Sequence, residues 1–192
     1  MQKKIQQRIS EGIAVKESML ADTLFLRKIE AAAELLVACF RAGGKVLFCG
    51  NGGSAADAQH LAAELSGRFY LDRAPLFAEA LHVNTSFVTA VSNDFGFEVA
   101  YERMVQAAGR AGDVLVAMTT SGNSPNVLAA VKMAQQTGMK TIAMTGSSGG
   151  KLAGLKPEIL LNVPSEDTPR IQESHMTIGH ILCEIVECEL FG

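Results

Sequence analysis

Lys45-Val46-Leu47-Phe48-Cys49-Gly50-Asn51-Gly52-Gly53-Ser54-Ala55-Ala56-Asp57 is the stretch whose reading decides the fold. Its short apolar run suits a strand buried on both faces. A glycine-rich turn follows, and a helical pattern runs from about 54 to 66. Working outward, strand-like runs recur at 78–81, 114–118, 141–145 and 159–163. Helical patterns at 85–91, 98–108, 127–136 and 171–190 separate them. Such alternation predicts right-handed crossovers and a parallel sheet covered on both faces. Residues 3–41 are helical in pattern, with Ile29, Ala32, Ala33, Leu36 and Phe40 on one apolar face, and Gly43-Gly44 ends that region. The expectation is a doubly wound α/β fold in one domain, 1–192. It has a helical N-terminal region, 1–42, and an α/β core with a long C-terminal helix, 43–192. Ligands in such sheets bind at the carboxyl ends of the strands.

Composition narrows the partners. Lys and Arg total 17 against 20 Asp and Glu, a net charge of −3, so no nucleic-acid surface or anionic-membrane binder is expected. Trp is absent and aromatics are 6%, which argues against base-stacking platforms. Cys39, Cys49, Cys183 and Cys188 form no CxxC and lie in apolar stretches, so they read as buried, reduced core residues. The N-terminal segment carries charge with no apolar stretch behind it, and no run approaches the ~20 residues of a membrane span. A cytoplasmic protein is expected.

Two loops have the chemistry to hold an anion. In the first, Gly50-Asn51-Gly52-Gly53 lets backbone approach a ligand at a helix start, and Ser54 and Asp57 have capping-box spacing. A tight strand-to-helix turn with a capping serine would look the same. The loop matches neither the Walker pattern nor the dinucleotide fingerprint. The second loop, Thr119-Thr120-Ser121-Gly122-Asn123-Ser124-Pro125, follows an apolar strand; Ser124 suits an N-cap and Pro125 the first helical position. Its hydroxyls would grip a phosphate with neutral donors. A polar turn that only caps a helix is the plain alternative. A third glycine-rich stretch, Gly146-Ser147-Ser148-Gly149-Gly150, reads as a connection.

His60 and Glu64 lie four apart on the first helix, hence on one face. Late in the chain, Thr168 and Pro169 are expected as N-cap and first residue of another helix. Gln172 and His180 lie on it, eight residues and therefore ~80° apart around the axis. Two His, one Glu and one Gln could bind a divalent metal, and imidazole with carboxylate suits zinc. Equally, a histidine on an amphipathic helix is often structural and a glutamate solvated. His175, at another helical angle, reads as structural, and His82 carries no specific signal. Arg68 and Asn93-Asp94 fall just after predicted elements, where loops carry sites.

Gly50-Asn51-Gly52-Gly53-Ser54-Ala55-Ala56-Asp57-Ala58-Gln59-His60 resembles the first signature of the sugar isomerase (SIS) fold. With Asn93-Asp94-Phe95-Gly96, Thr120-Ser121-Gly122-Asn123-Ser124 and Thr168-Pro169-Arg170-Ile171-Gln172-Glu173-Ser174-His175, the chain is similar more narrowly to the bacterial phosphoheptose isomerases. The resemblance covers nearly the whole chain. It implies a flavodoxin-like five-stranded parallel sheet and a homotetramer assembled partly through terminal helices. It also implies one zinc per subunit on His60, Glu64, Gln172 and His180. Substrate contacts would fall on Asn51, Gly52, Gly53, Ser54, Glu64, Asn93, Asp94, Thr119, Thr120, Ser121, Ser124 and Gln172. Departures fall at Thr119, where the family often has Ser, at Ala74, which interrupts an Arg-Pro pair, and at Glu79 and His82.

The implied reaction converts sedoheptulose 7-phosphate to D-glycero-D-manno-heptose 7-phosphate through an enediol, the first step of nucleotide-activated heptose biosynthesis. Glu64 is then expected as the base and His180 as the acid partner. Two alternatives stand beside it. One is a non-catalytic SIS binding protein of the replication-initiator-associating type, against which the four candidate ligands argue. The other is a phosphosugar sensor, for which no basic DNA-binding arm is present.

Overall fold

The computed structural model describes residues 1–192. Its helices and strands follow in the order α1 (Gln2–Ala21), α2 (Thr23–Arg41), β1 (Val46–Cys49), α3 (Gly53–Ser66), β2 (Ala78–Ala80), α4 (Thr85–Phe95), α5 (Ala100–Ala108), β3 (Val114–Met118), α6 (Pro125–Gln136), β4 (Lys140–Thr145), α7 (Gly150–Ala153), β5 (Ile159–Asn162) and α8 (Thr168–Phe191). A 3₁₀ turn, Phe97–Val99, leads into α5.

The five strands are ordered β2-β1-β3-β4-β5, and every neighbouring pair is parallel. Chain order reverses between β1 and β3, so a crevice opens there at the carboxyl ends. The two candidate loops leave those two strands. Alternation along the strands builds two cores. Val46, Phe48, Val114, Val116 and Met118 face α2, α3 and α8. Leu47, Cys49, Leu115 and Ala117 face α5 and α6. All five residues of β3 are buried, as a central strand covered on both sides requires.

The helical region 3–41 is two helices rather than one. Asp22 breaks it, because its Oδ1 accepts the Leu24 and Phe25 N–H groups at 2.9 and 3.1 Å and so caps α2. Two expected caps move and a third keeps its place. α3 starts one residue early with Gly52 as N-cap, so Ser54 lies inside the helix and no capping box forms. Asp57 then keeps a buried Oδ2 without a partner, and burial pushes its carboxyl above the usual range. Asp167, not Thr168, is the N-cap of α8, and Ser124 occupies its N-cap position without a side-chain capping bond. α4 runs on to Phe95, which places Asn93 and Asp94 in its last turn rather than beyond it. Cys39, Cys49 and Cys183 are buried as expected, whereas Cys188 is exposed.

Two apolar surfaces remain uncovered. Ile5, Ile9 and Ile13 form an exposed stripe along α1. A groove of about 1100 Å³ runs between α2 and α8, lined by Leu26, Ile29, Val37, Ile181 and Ile185 with charged residues at its edges. No helix is long and apolar enough to cross a membrane.

Candidate active site

The first loop is shaped by close approach. A Cβ on Gly50 would lie 2.5 Å from the Ser54 carbonyl oxygen, and Gly52 holds a positive φ of 55°. Gly53 admits the Gln172 carboxamide, whose Nε2 would be 2.5 Å from any Cβ there. Tyr101 donates its hydroxyl to the Gly50 carbonyl at 2.6 Å. Asn51 exchanges two amide hydrogen bonds with Asn126, both 2.8 Å. The Asn126 Oδ1 also accepts the Val127 N–H at 3.0 Å.

The second loop is bound to itself and to the third glycine-rich stretch. Thr119 and Ser124 share a hydroxyl hydrogen bond of 3.0 Å. Asn123 donates to the Ser121 carbonyl and accepts the Lys151 N–H, at 2.9 and 3.0 Å. Gly122 lies so close to the Gly149 carbonyl that neither loop could carry a Cβ there. Gly146-Ser147-Ser148 is therefore more than a connection. With Thr120, Ser121 and Ser165 it lines a polar cleft of about 270 Å³ at the strand ends, which Thr168 and Ile171 of α8 close. No Lys or Arg lines that cleft, and Glu166 stands on its wall. Its donors are hydroxyls and backbone amides, which suit a phosphate without a cation.

α3 and α8 run side by side in the same direction: Gly53 meets Gln172, and Leu61 meets Gly179. Gly179 makes the approach possible, since a Cβ there would lie 2.5 Å from Leu61 Cδ1. The next residue, His180, thereby reaches His60. Their Nε2 atoms are 3.0 Å apart, and Glu64 Oε1 is 3.1 Å from His60 Nε2. The ligand atoms of His60, Glu64 and His180 all lie within 4.8 Å of one another. Two imidazole nitrogens at this spacing either share one proton or turn both lone pairs toward a cation. Tetrahedral coordination with bonds of ~2.0–2.1 Å sets such nitrogens roughly 3.3 Å apart. The donor set of two imidazoles and one carboxylate fits a divalent metal with a position left open for substrate. Phe69 packs on the triad with its ring 5.9 Å from that of His180.

The remaining candidates separate. Gln172 lies two turns upstream of His180 on α8, over Gly53. Asn93 and Asp94 are exposed in the last turn of α4 and hydrogen-bonded to each other at 2.8 Å. Arg68 is exposed in the turn after α3. His82 approaches Gln59 at 3.3 Å, and burial depresses its pKa. His175 is wholly buried, and burial holds its pKa down to about 4; its Nε2 donates to the Thr145 carbonyl at 3.3 Å. That fits its structural reading. Asn126 and Gly179 were not singled out from sequence. An asparagine at the second helical position and a glycine within a helix become informative only once their partners are known.

The comparisons agree with this architecture. The SIS domain family matches residues 16–146. The phosphoheptose isomerase of Clostridium acetobutylicum is 48% identical over 188 residues, 98% of this chain and 95% of that protein. That of Rhodospirillum rubrum is 56% identical over 159 residues, 83% of this chain and 84% of that protein. Among solved structures, the phosphoheptose isomerase of Francisella tularensis superposes with a TM-score of 0.93 at 40% identity, covering 97% of each chain. That of Neisseria gonorrhoeae gives 0.90 at 44% identity, covering 97% of this chain and 98% of that one. With the β2-β1-β3-β4-β5 sheet and the hydroxyl-lined cleft at the carboxyl ends of β3, β4 and β5, these likenesses show that the chain belongs to the SIS domain family, on its phosphoheptose isomerase branch.

Proposed function

We propose that the chain interconverts sedoheptulose 7-phosphate and D-glycero-D-manno-heptose 7-phosphate, in the cytoplasm, as the first step of nucleotide-activated heptose biosynthesis. The observation that carries this reading is the convergence of His60, Glu64 and His180 from two helices. Isomerisation moves a proton between adjacent carbons through an enediol, which needs a base, an acid and stabilisation of a developing oxyanion. Glu64 takes the proton from the carbon next to the carbonyl. His180 serves the carbonyl oxygen as acid partner. Thr119, Thr120, Ser121 and Ser124 hold the phosphate, and Asn51, Gly52, Gly53 and Ser54 shape the adjoining wall. Asn93, Asp94 and Gln172 contact the sugar. Zinc is the metal of this proposal, and His60, Glu64 and His180 would hold it; Gln172, the fourth ligand the resemblance implies, would have to swing from Gly53 to join them, and when bound the metal would supply Lewis-acid polarisation of the substrate oxygens.

The uncovered stripe of α1 and the groove between α2 and α8 support a homotetramer built through the terminal helices. The deciding experiment is turnover of sedoheptulose 7-phosphate with and without chelator. We expect activity that chelation removes and zinc restores. Glu64→Gln and His180→Gln should each lower kcat ~10²–10⁴-fold, as loss of a general acid or base does. Near-full activity in either variant would overturn its role.

A further inference from the structure

The turn after α3 is exposed at Gly67, Arg68, Tyr70, Leu71 and Asp72, yet one carboxylate fixes it from beneath. Glu187 of α8, 1% exposed, accepts the N–H groups of Phe69, Tyr70 and Leu71 at 3.0, 2.6 and 2.8 Å. Arg73 Nε donates to the same carboxylate at 3.0 Å, and both side chains are 2% exposed. Four donors fill the acceptor sites of a carboxylate.

The rest of the Arg73 guanidinium serves α3. Its Nη1 donates to the Leu65 carbonyl at 2.7 Å and the Gly67 carbonyl at 3.2 Å. Its Nη2 donates to the Glu64 carbonyl at 3.0 Å. The last carbonyls of a helix lack intrahelical partners, so this fork closes the very turn that carries Glu64. On the other helix, Glu187 follows His180 by seven residues, ~20° off around the axis, so both lie on the stripe that faces α3. The turn that Glu187 holds also carries Phe69, whose ring packs on His180. One ion pair thus reaches the backbone of Glu64 and, through Phe69, the ring of His180, while touching neither reacting group. Stability alone is a weak reason for such a pair, because desolvation offsets much of the attraction between buried charges.

We propose that Arg73 and Glu187 are positioning residues for the His60–Glu64–His180 triad, setting the Glu64 carboxylate and the His180 ring at their working separation. The inference rests on reading that triad as the isomerase centre.

The test compares Glu187→Gln with Asp113→Asn. The control breaks another buried pair, Lys45–Asp113, at the amino ends of β1 and β3, opposite the strand ends where ligands bind. For each protein kcat and KM are measured on sedoheptulose 7-phosphate. Affinity for cobalt(II) and its visible absorption spectrum are recorded without substrate. Glu187→Gln should lower kcat ~10–100-fold, the usual range for residues that orient metal ligands. KM should stay within about twofold, since the phosphate cradle lies elsewhere. Cobalt affinity should fall and the spectrum change. Asp113→Asn should lower the melting temperature and leave kcat and spectrum intact.

A Glu187→Gln enzyme that only melts earlier, with unchanged kcat and spectrum, overturns the proposal. If that variant does not fold, Arg73→Lys, which keeps the charge and loses the fork, and Phe69→Leu carry the same expectations; unchanged kcat and spectrum in both are equally decisive against it. Wild-type protein that binds cobalt without turnover would sink the isomerase reading, while a spectrum altered by Glu187→Gln would still support positioning.

Discussion

Asn51 and Asn126 hold each other face to face through two reciprocal amide hydrogen bonds of 2.8 Å, across 75 residues of sequence. Asn51 lies in the loop after β1 and Asn126 in the first turn of α6, so the pair ties the first glycine-rich loop to the helix that the second loop leads into. Asn126→Ala removes that tie and strips the Val127 N–H of its acceptor. Leaving buried polar groups unpaired costs about 1–3 kcal/mol. The expected result is a lower melting temperature and a KM raised more than kcat is lowered, read by denaturation and steady-state kinetics.

Gly179→Ala tests the helix contact behind the triad. The new methyl would meet Leu61, itself buried, so α8 must move away from α3. Overpacking of this kind costs about 1–3 kcal/mol. Because His60 and His180 come from those two helices, metal affinity should fall with stability. Leu61→Ala in the same chain should restore part of both, giving a favourable coupling in a double-mutant cycle. Simple additivity would argue against the contact.

Gly53→Ala should behave differently. Here the obstructed atoms are the end of the Gln172 side chain, which can swing aside. Stability should change by less than about 0.5 kcal/mol, as for substitutions outside packed cores. Kinetic efficiency should drop, because the Gln172 carboxamide loses its place. A large fall in melting temperature with unchanged kinetics would reverse this assignment.

His175 gives a pH signature. Burial holds its pKa near about 4, against 6.5 for the ordinary side chain. The folded protein therefore keeps it neutral where the unfolded chain already binds a proton. Its contribution is fully present above pH 6.5 and is lost as pH falls toward 4, by an amount of about 3 kcal/mol. Denaturant midpoints measured across that window should fall with pH in the wild type and fall less in His175→Gln.

Much of the fold was legible because strand and helix patterns alternate with unlike periods, and the five strand-like runs became the five strands. Boundaries were harder. The break at Asp22 leaves the helical pattern on both sides intact, so only the cap identifies it. Asn93 and Asp94 looked like loop residues because α4 ends on polar side chains that periodicity does not assign to a helix. Within the site, the four-residue spacing of His60 and Glu64 was readable from local sequence. That His180 would meet them was readable only as helical phase, since the contact depends on Gly179 admitting Leu61. The third glycine-rich stretch was misread for a similar reason: its glycines answer to Gly122, a partner 27 residues away that no local pattern reveals.

The cation-free cleft beneath Thr120 and Ser121 has a kinetic consequence. Hydroxyls and helix ends act at contact, whereas lysine and arginine attract an anion from as far as the Debye length, about 8 Å at physiological ionic strength. A chain of net charge −3 with such a cleft exerts no long-range pull on a dianionic sugar. The cleft itself adds no steering, so added salt, which slows steered enzymes, should not slow capture by the metal-free protein, and any slowing seen in the metal-loaded protein would come from the ion's own charge.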